Sequence, residues 1–170
     1  MIHTTADFDY ADNLVFSEHA VRKGIEALKA GCDVVTDTQM ARSGINKTVL
    51  EKLGGTVHCF MSDPEVAAEA KSRGITRAVV SMEHAARLTT PLIFAIGNAP
   101  TALMRLRELM DAGEVAPALV IGVPVGFVNV VESKEQIIES SAPHIVARGR
   151  KGGSNVAAAI VNALLYQISR

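Results

Sequence analysis

The sequence predicts an α/β fold, a three-layer α/β/α domain with a mainly parallel sheet of about five strands. First, strand-like and helix-like segments alternate along the whole chain, as they do when crossover helices join parallel strands. Second, the strand-like runs are short, apolar and bounded by turn residues, which is typical of strands buried on both faces. Third, the chain has 170 residues, of which 48% are hydrophobic. We therefore assign residues 1–170 to a single domain.

The chain begins with a polar stretch, Met1 to Tyr10, in which acids and aromatics are interspersed. We expect a loop or a short helix there. Ser17 is a good N-cap, so a helix is expected from this residue to about Ala30. Gly31 would end that helix at the C′ position.

Five apolar runs are the predicted strands. They are Cys32–Thr36, Thr56–Phe60, Leu92–Ile96, Ala118–Ile121 and His144–Arg148. The fourth run is followed by Gly122, Pro124 and Gly126, which shape the chain into a rigid loop. That loop indicates either a ligand-binding strand end or a tight strand exit with no ligand.

Helices are predicted between these strands from caps, stops and apolar spacing. After the first helix they run from Asn46 to Leu53, from Pro64 to Gly74, from Thr76 to Leu88, from the end of Gly97–Thr101 to Gly113, from a capping box at Ser133 and Gln136, and from Asn155 to Ile168. The last helix is apolar around most of its circumference. It is therefore expected to be buried on several sides or to pack on a second subunit.

Composition argues against several classes of protein. The net charge of −1 gives no global attraction to nucleic acid, and 4% aromatic residues leave few stacking platforms for bases. No apolar run is long enough to span a membrane. Cys32 and Cys59 lie in strand-like runs, so we expect reduced core cysteines and a cytoplasmic protein.

Four strand ends carry polar or Gly/Pro residues. They are Asp37–Met40, Gly97–Thr101, Gly122–Lys134 and Gly149–Ser154. The carboxyl ends of parallel strands meet at one edge of the sheet, where open α/β sheets bind ligands. The sequence therefore predicts one cleft lined by these four segments.

The segment Gly149–Ser154 combines Arg150 and Lys151 with three glycines before a helix. Such a segment can offer backbone N–H groups and positive charge to an anion, or it can be a solvated start of a helix. It does not have the spacing of a Walker loop. His3 could exchange a proton near neutral pH or be structural. The remaining histidines lack ligand-like spacing, so we expect no metal held by the protein.

Six stretches of this chain are similar to one known family, and they occur in the family's order. They are Ile2–Phe8, Thr36–Met40, Gly74–Arg77, Ala95–Leu103, Gly122–Val128 with Glu132–Lys134, and Arg148–Ser154. Together they resemble the precorrin-8X methylmutase family, which includes the cobalt-precorrin-8 enzymes of the anaerobic route to cobalamin. The sequence Thr4-Thr5-Ala6-Asp7 after His3 looks more like the cobalt-dependent branch.

The resemblance implies an isomerase that moves a methyl group between adjacent ring carbons of precorrin-8X or cobalt-precorrin-8. It implies an α/β/α homodimer with residues of both subunits in each site, and no cofactor. His3 matches the catalytic histidine, which is thought to give a proton to the macrocycle, and Arg77 matches an arginine that contacts the substrate. The other matched residues that we assign to substrate binding are Thr5, Asp37, Met40, Asn98, Ser133, Lys134, Arg148, Arg150 and Lys151.

Family members usually have a further segment before the histidine, so we expect this chain to lack it. His3 would then be prone to fraying, because chain termini are poorly ordered unless they are tied down. Two alternatives to the isomerase follow. One is a related protein that binds corrinoids without turnover, and the other is an unrelated α/β enzyme that binds a nucleotide at Gly149–Ser154.

Overall fold

The sheet has six strands, and five of them are the predicted runs. The structure is a computed structural model and describes residues 1–169. The strands are β1 (Leu14–Phe16), β2 (Asp33–Thr36), β3 (Val57–His58), β4 (Leu92–Ile96), β5 (Leu119–Gly122) and β6 (His144–Ala147).

Ten α-helices surround the sheet within the described residues. They are α1 (Ile2–Thr5), α2 (Tyr10–Asn13), α3 (Ala20–Lys29), α4 (Gln39–Gly44), α5 (Lys47–Lys52), α6 (Pro64–Arg73), α7 (Arg77–Ala85), α8 (Pro100–Asp111), α9 (Val130–Ile138) and α10 (Ser154–Ser169). No helix in this part of the chain combines the length and apolar character needed to cross a membrane.

The strand order is β1-β6-β5-β4-β2-β3. Strands β2 to β6 pair in parallel, and β1 pairs antiparallel with β6. From β2 the chain first adds β3 on one side and then returns to add β4 on the other. The strand order thus reverses between β2 and β4, and such a switch point leaves a crevice at the carboxyl ends of the strands.

Alternate residues of the central strand face two separate cores, which is the reason for the three layers. Ile93 and Ala95 of β4 pack in the core covered by α3, α5 and α10. Phe94 and Ile96 pack in the core covered by α7, α8 and α9. The predicted α/β/α architecture is therefore confirmed. The apolar character of α10 is explained in part by this packing, since seven of its residues are buried.

Two local predictions about helix starts are wrong. Helix α3 begins at Ala20 after His19, which has φ 60°, and the hydroxyl of Ser17 instead accepts a hydrogen bond from His144 N. The predicted capping box at Ser133 is absent, because α9 already begins at Val130. Helix α4 and strand β1 were not predicted. Helix α4 begins only three residues after the end of β2, so no turn in the sequence separates the two elements. Strand β1 is an edge strand of three residues, which is too short to give a clear pattern.

Candidate active site

The carboxyl ends of β2 and β4 are joined by the carboxylate of Asp37. Its Oδ1 accepts from Gly97 N at 2.9 Å, and its Oδ2 accepts from Asn98 N at 2.8 Å and from Ala99 N at 2.6 Å. Asp37 is fully buried. Burial raises the pKa of its carboxyl, and the three N–H donors oppose that rise. This placement does not fit the predicted substrate contact, because Asp37 lies behind the loop that it holds.

The segment before α10 contacts the ends of β4 and β5 through main-chain atoms. Gly153 N donates to Val123 O at 2.9 Å. A Cβ on Gly152 would lie 2.0 Å from Val123 O, and one on Gly97 would lie 2.7 Å from Gly153 O. Such contacts leave no room for a side chain at these positions. The glycines are therefore required by close backbone packing.

The hydroxyls of Thr38 and Ser154 lie 2.8 Å apart, which also brings the end of β2 to the start of α10. The ends of β2, β4 and β5 and the segment after β6 thus meet along one edge of the sheet. We call this edge, with its four segments 37–40, 97–101, 122–131 and 149–154, the carboxyl rim.

Three predicted cationic residues lie at the β6 end of the carboxyl rim, and each has a different partner. Arg148 makes a two-point contact with Glu135, at 2.9 and 3.2 Å. Lys151 Nζ contacts Asp7 at 2.6 Å and Asp9 at 2.5 Å. The guanidinium of Arg150 lies 5.6 Å from the ring centroid of Phe127. Together with Tyr10 and Asn13 these cations line a pocket of about 320 Å³.

Arg77, Asn98 and Met40 are exposed in this region. Arg77 is the first residue of α7, directly after Thr76, whose hydroxyl donates to that of Thr101 at 3.4 Å. This contact places the start of α7 beside the β4 end of the carboxyl rim. Among the residues described, no acid forms an ion pair with Arg77 or Arg150, so these two cations are available to an anionic ligand.

Ser133 and Lys134 are fully buried in α9. The hydroxyl of Ser133 donates to Val130 O of its own helix. Lys134 Nζ donates to the carbonyls of Gly149 and Lys151. Burial does not fit the prediction that these two side chains contact the substrate. The physical reason is the earlier start of α9, which turns both residues into the protein.

His3 lies in α1 with its side chain exposed. The expectation that this segment frays does not match its packing. Helix α1 contacts α10, and the ion pairs of Lys151 with Asp7 and Asp9 tie the following residues to the carboxyl rim. Thr5 is partly buried, and its hydroxyl donates to Met1 O at 3.2 Å.

His3 also borders a groove of about 630 Å³. This groove, which we call the α3/α10 groove, is lined mainly by apolar side chains, including Phe16, Ile25, Ile160 and Leu164. Its lining contains no Lys or Arg among residues 1–169. An anionic ligand is therefore better served by the carboxyl rim, and the groove is better suited to an apolar partner surface.

Sequence reasoning missed two exposed apolar residues of the carboxyl rim, Phe127 and Val128, and a third, Phe8, in the segment that Asp7 and Asp9 tie to it. Phe127 is 83% exposed, Val128 is 77% exposed and Phe8 is 78% exposed. The signal was present, because apolar residues in a Gly/Pro-shaped loop have no core to enter. A rim that combines exposed apolar side chains with unpaired cations can hold a broad, partly apolar anion.

The fold is that of an α/β protein whose mainly parallel sheet has a switch point between β2 and β4. A profile of the family described as precorrin-8X methylmutase matches residues 1–167. The chain belongs to this family. Methylmutases are isomerases, because they shift a methyl group within one molecule.

Individual relatives agree with the family assignment. A cobalt-precorrin-8 methylmutase from Salmonella typhimurium is 51% identical over 99% of this chain and 79% of its own length. A precorrin-8X methylmutase from Pseudomonas aeruginosa is 41% identical over 96% of this chain and 79% of its own length. The crystal structure of precorrin-8X methyl mutase from Thermus thermophilus superposes with a TM-score of 0.90. It is 39% identical, and the match covers 99% of this chain and 82% of that one.

Proposed function

We propose that the protein moves a methyl group between adjacent ring carbons of precorrin-8X or cobalt-precorrin-8, with His3 as the proton donor. The main support for this proposal is that Lys151 forms ion pairs with both Asp7 and Asp9. They join the segment of His3 to the cationic end of the carboxyl rim. This link supports a site in which an acid–base group and an anion-binding surface act on one ligand.

The chemistry of the substrate matches the carboxyl rim. A corrinoid precursor is a broad, mostly apolar ring with carboxylates around its edge. Exposed Phe127, Val128 and Phe8 offer apolar contact, while Arg77 and Arg150 offer positive charge. Charge-assisted hydrogen bonds are each worth about 1.5–3 kcal/mol, so a few of them can orient such a ligand. Asn98, Met40 and Thr5 are further candidates for contact from the β4, β2 and N-terminal sides.

Proton donation by His3 would assist the migration itself. A proton added to the ring withdraws electron density from it as the methyl group moves. The stabilisation would be greater in the transition state than in the bound substrate, which is the requirement for catalysis. His3 is exposed, so its imidazole is accessible to a ligand.

The test of this role is His3→Ala, assayed with purified protein and precorrin-8 by the change in the visible spectrum. Because general acid catalysis typically contributes about 10²–10⁴-fold, we expect a loss of rate of that order with ligand binding largely kept. The matched control is His19→Asn, since His19 is also exposed and Asn tolerates its left-handed conformation. Unchanged turnover of the His3 variant would remove this residue from the mechanism.

A corrinoid-binding protein without turnover would give a different result in the same assay. The wild type would then bind the corrinoid tightly and leave the spectrum of precorrin-8 unchanged.

We further propose that the chain works as a homodimer in the cytoplasm. The α3/α10 groove supports the first part, because an apolar surface of this size is better covered by protein than by water. The two free, buried cysteines support the second part, since reduced cysteines are usual in a reducing compartment.

A further inference from the structure

Lys134 makes a specific pair of hydrogen bonds from a buried position. The residue is 0% exposed. Its Nζ donates to Gly149 O at 2.7 Å and to Lys151 O at 2.8 Å. These two carbonyls flank Arg150, and the carbonyl of Arg150 itself accepts from Gly126 N at 3.2 Å. Three successive carbonyls are thus held, and Arg150 is the central residue.

Holding a loop with a buried ammonium group costs desolvation free energy. A neutral amide could donate the same hydrogen bonds, whereas burying a charge costs free energy unless an acid compensates it. No ion pair to Lys134 occurs within residues 1–169, and burial lowers the pKa of its ammonium group to about 8. Fully buried lysines are rare unless they are paired. The requirements of folding alone therefore do not explain a lysine here.

The other cations of this region differ from Lys134 in their partners. Arg148 is paired with Glu135, and Lys151 is paired with Asp7 and Asp9. Arg150 is exposed, and its guanidinium lies over the ring of Phe127. Segment 149–151 therefore presents the unpaired Arg150 to solvent, while the unpaired Lys134 lies beneath the main chain of this segment.

We infer that Lys134 is a positioning residue for substrate binding: it fixes segment 149–151 so that Arg150 faces the carboxylates of the ligand, and its charge adds to their attraction. This inference rests on the proposed function. Lys134 acts through the loop, because its buried Nζ has no access to a ligand. A bound carboxylate would compensate the charge that the protein leaves unpaired.

The test is a double-mutant cycle with Lys134→Met and Arg150→Ala. The affinity of each protein for hydrogenobyrinate, the product-type corrinoid, is measured by titration in the visible region. We expect each single variant to bind about 10-fold more weakly, which is the usual order for a lost charge-assisted contact. Residues that act as one unit are not additive. The double variant should therefore lose less affinity than the sum of the two single losses. Additive losses, or an unchanged affinity of Lys134→Met, would overturn the inference.

Two further variants separate positioning from stability. Lys134→Gln keeps a hydrogen-bond donor without the charge, so it should fold and bind with an affinity between those of the wild type and Lys134→Met. Lys52→Met, at an exposed position of α5, should bind like the wild type.

Hydrogen exchange of the ligand-free protein keeps this inference separate from the proposed function. Amides of residues 149–153 should exchange faster in Lys134→Met than in Lys52→Met, and equal exchange would contradict the positioning role. If the wild type binds no corrinoid, the proposed function fails, while the exchange result still decides what Lys134 does to the loop.

Discussion

At the scale of single residues, the buried polar groups near the carboxyl rim hold main chain. Asp37 accepts three hydrogen bonds from consecutive N–H groups, and Lys134 donates two to carbonyls. Motif similarity predicted ligand contacts for both, yet both are buried. A motif shows that a residue type is needed at a position. It does not show whether that residue faces the ligand or the loop that binds the ligand.

Asp37→Asn should destabilise the fold. An amide replaces one oxygen with an NH₂ group, which faces main-chain donors and cannot accept from them. Because each hydrogen bond to a charged group is worth about 1.5–3 kcal/mol, we expect the free energy of unfolding to fall by about 2–4 kcal/mol. Urea unfolding monitored by circular dichroism measures this loss. Asp12→Asn is the matched control, since Asp12 is exposed at the start of α2. Equal stability of the two variants would show that the Asp37 carboxylate is dispensable.

At the scale of elements, strands β2 and β3 are joined by a second buried carboxylate. Asp33 Oδ1 accepts from Thr56 N at 2.7 Å, and its Oδ2 lies 3.0 Å from His58 Nε2 and 2.8 Å from the donating hydroxyl of Thr90. Burial by itself raises the pKa of this carboxyl. The hydrogen bonds from Thr90, His58 and Thr56 outweigh that effect and leave the pKa below its usual value.

This lowered pKa predicts a pH dependence of stability. The unfolded chain holds a proton on Asp33 at a higher pH than the folded chain does. The contribution of Asp33 is therefore fully present above the unfolded pKa, about 3.9, and is lost as the pH falls through that value toward the folded pKa. Asp33→Asn should remove this part of the acid dependence. As the pH is lowered from 7 to 3, the free energy of unfolding should fall less steeply in the variant than in the wild type. Parallel curves would contradict the lowered pKa of Asp33.

The elements that could be predicted from sequence are those whose signal is local. Five buried strands were recognised because each is a short apolar run between turn residues. Strand β1 escaped recognition, because Leu14, Val15 and Phe16 make an edge strand whose partner, β6, is far along the chain. The start of α9 was placed too late, so the burial of Ser133 and Lys134, which motif similarity had assigned to a ligand, was not foreseen.

At the scale of the whole molecule, the parallel topology made the carboxyl rim predictable. Once the strands were assigned as parallel, their polar ends had to meet at one edge. The partners of the rim's cations could not be predicted in the same way. Lys151 pairs with Asp7 and Asp9 across 144 and 142 positions of sequence, so no local pattern reports these contacts.

The proposed homodimer gives a prediction at this scale. Light scattering of the wild type should give about twice the 18.0 kDa mass of the chain. Phe16 is 50% exposed and lines the α3/α10 groove. If a second copy covers this groove, Phe16→Glu should give the mass of one chain, because the association would bury an unpaired charge. Circular dichroism confirms that the variant is folded. A folded variant that keeps the double mass would place the interface elsewhere, and a wild type with the mass of one chain would exclude the dimer.

The sheet ends in short strands on both sides, three residues in β1 and two in β3. An edge strand aggregates when it offers a long row of unpaired N–H and C=O groups to another chain. Neither β1 nor β3 is long enough to offer such a row. Crowded solutions of this protein should therefore resist fibril growth, and copies that meet will do so through side chains.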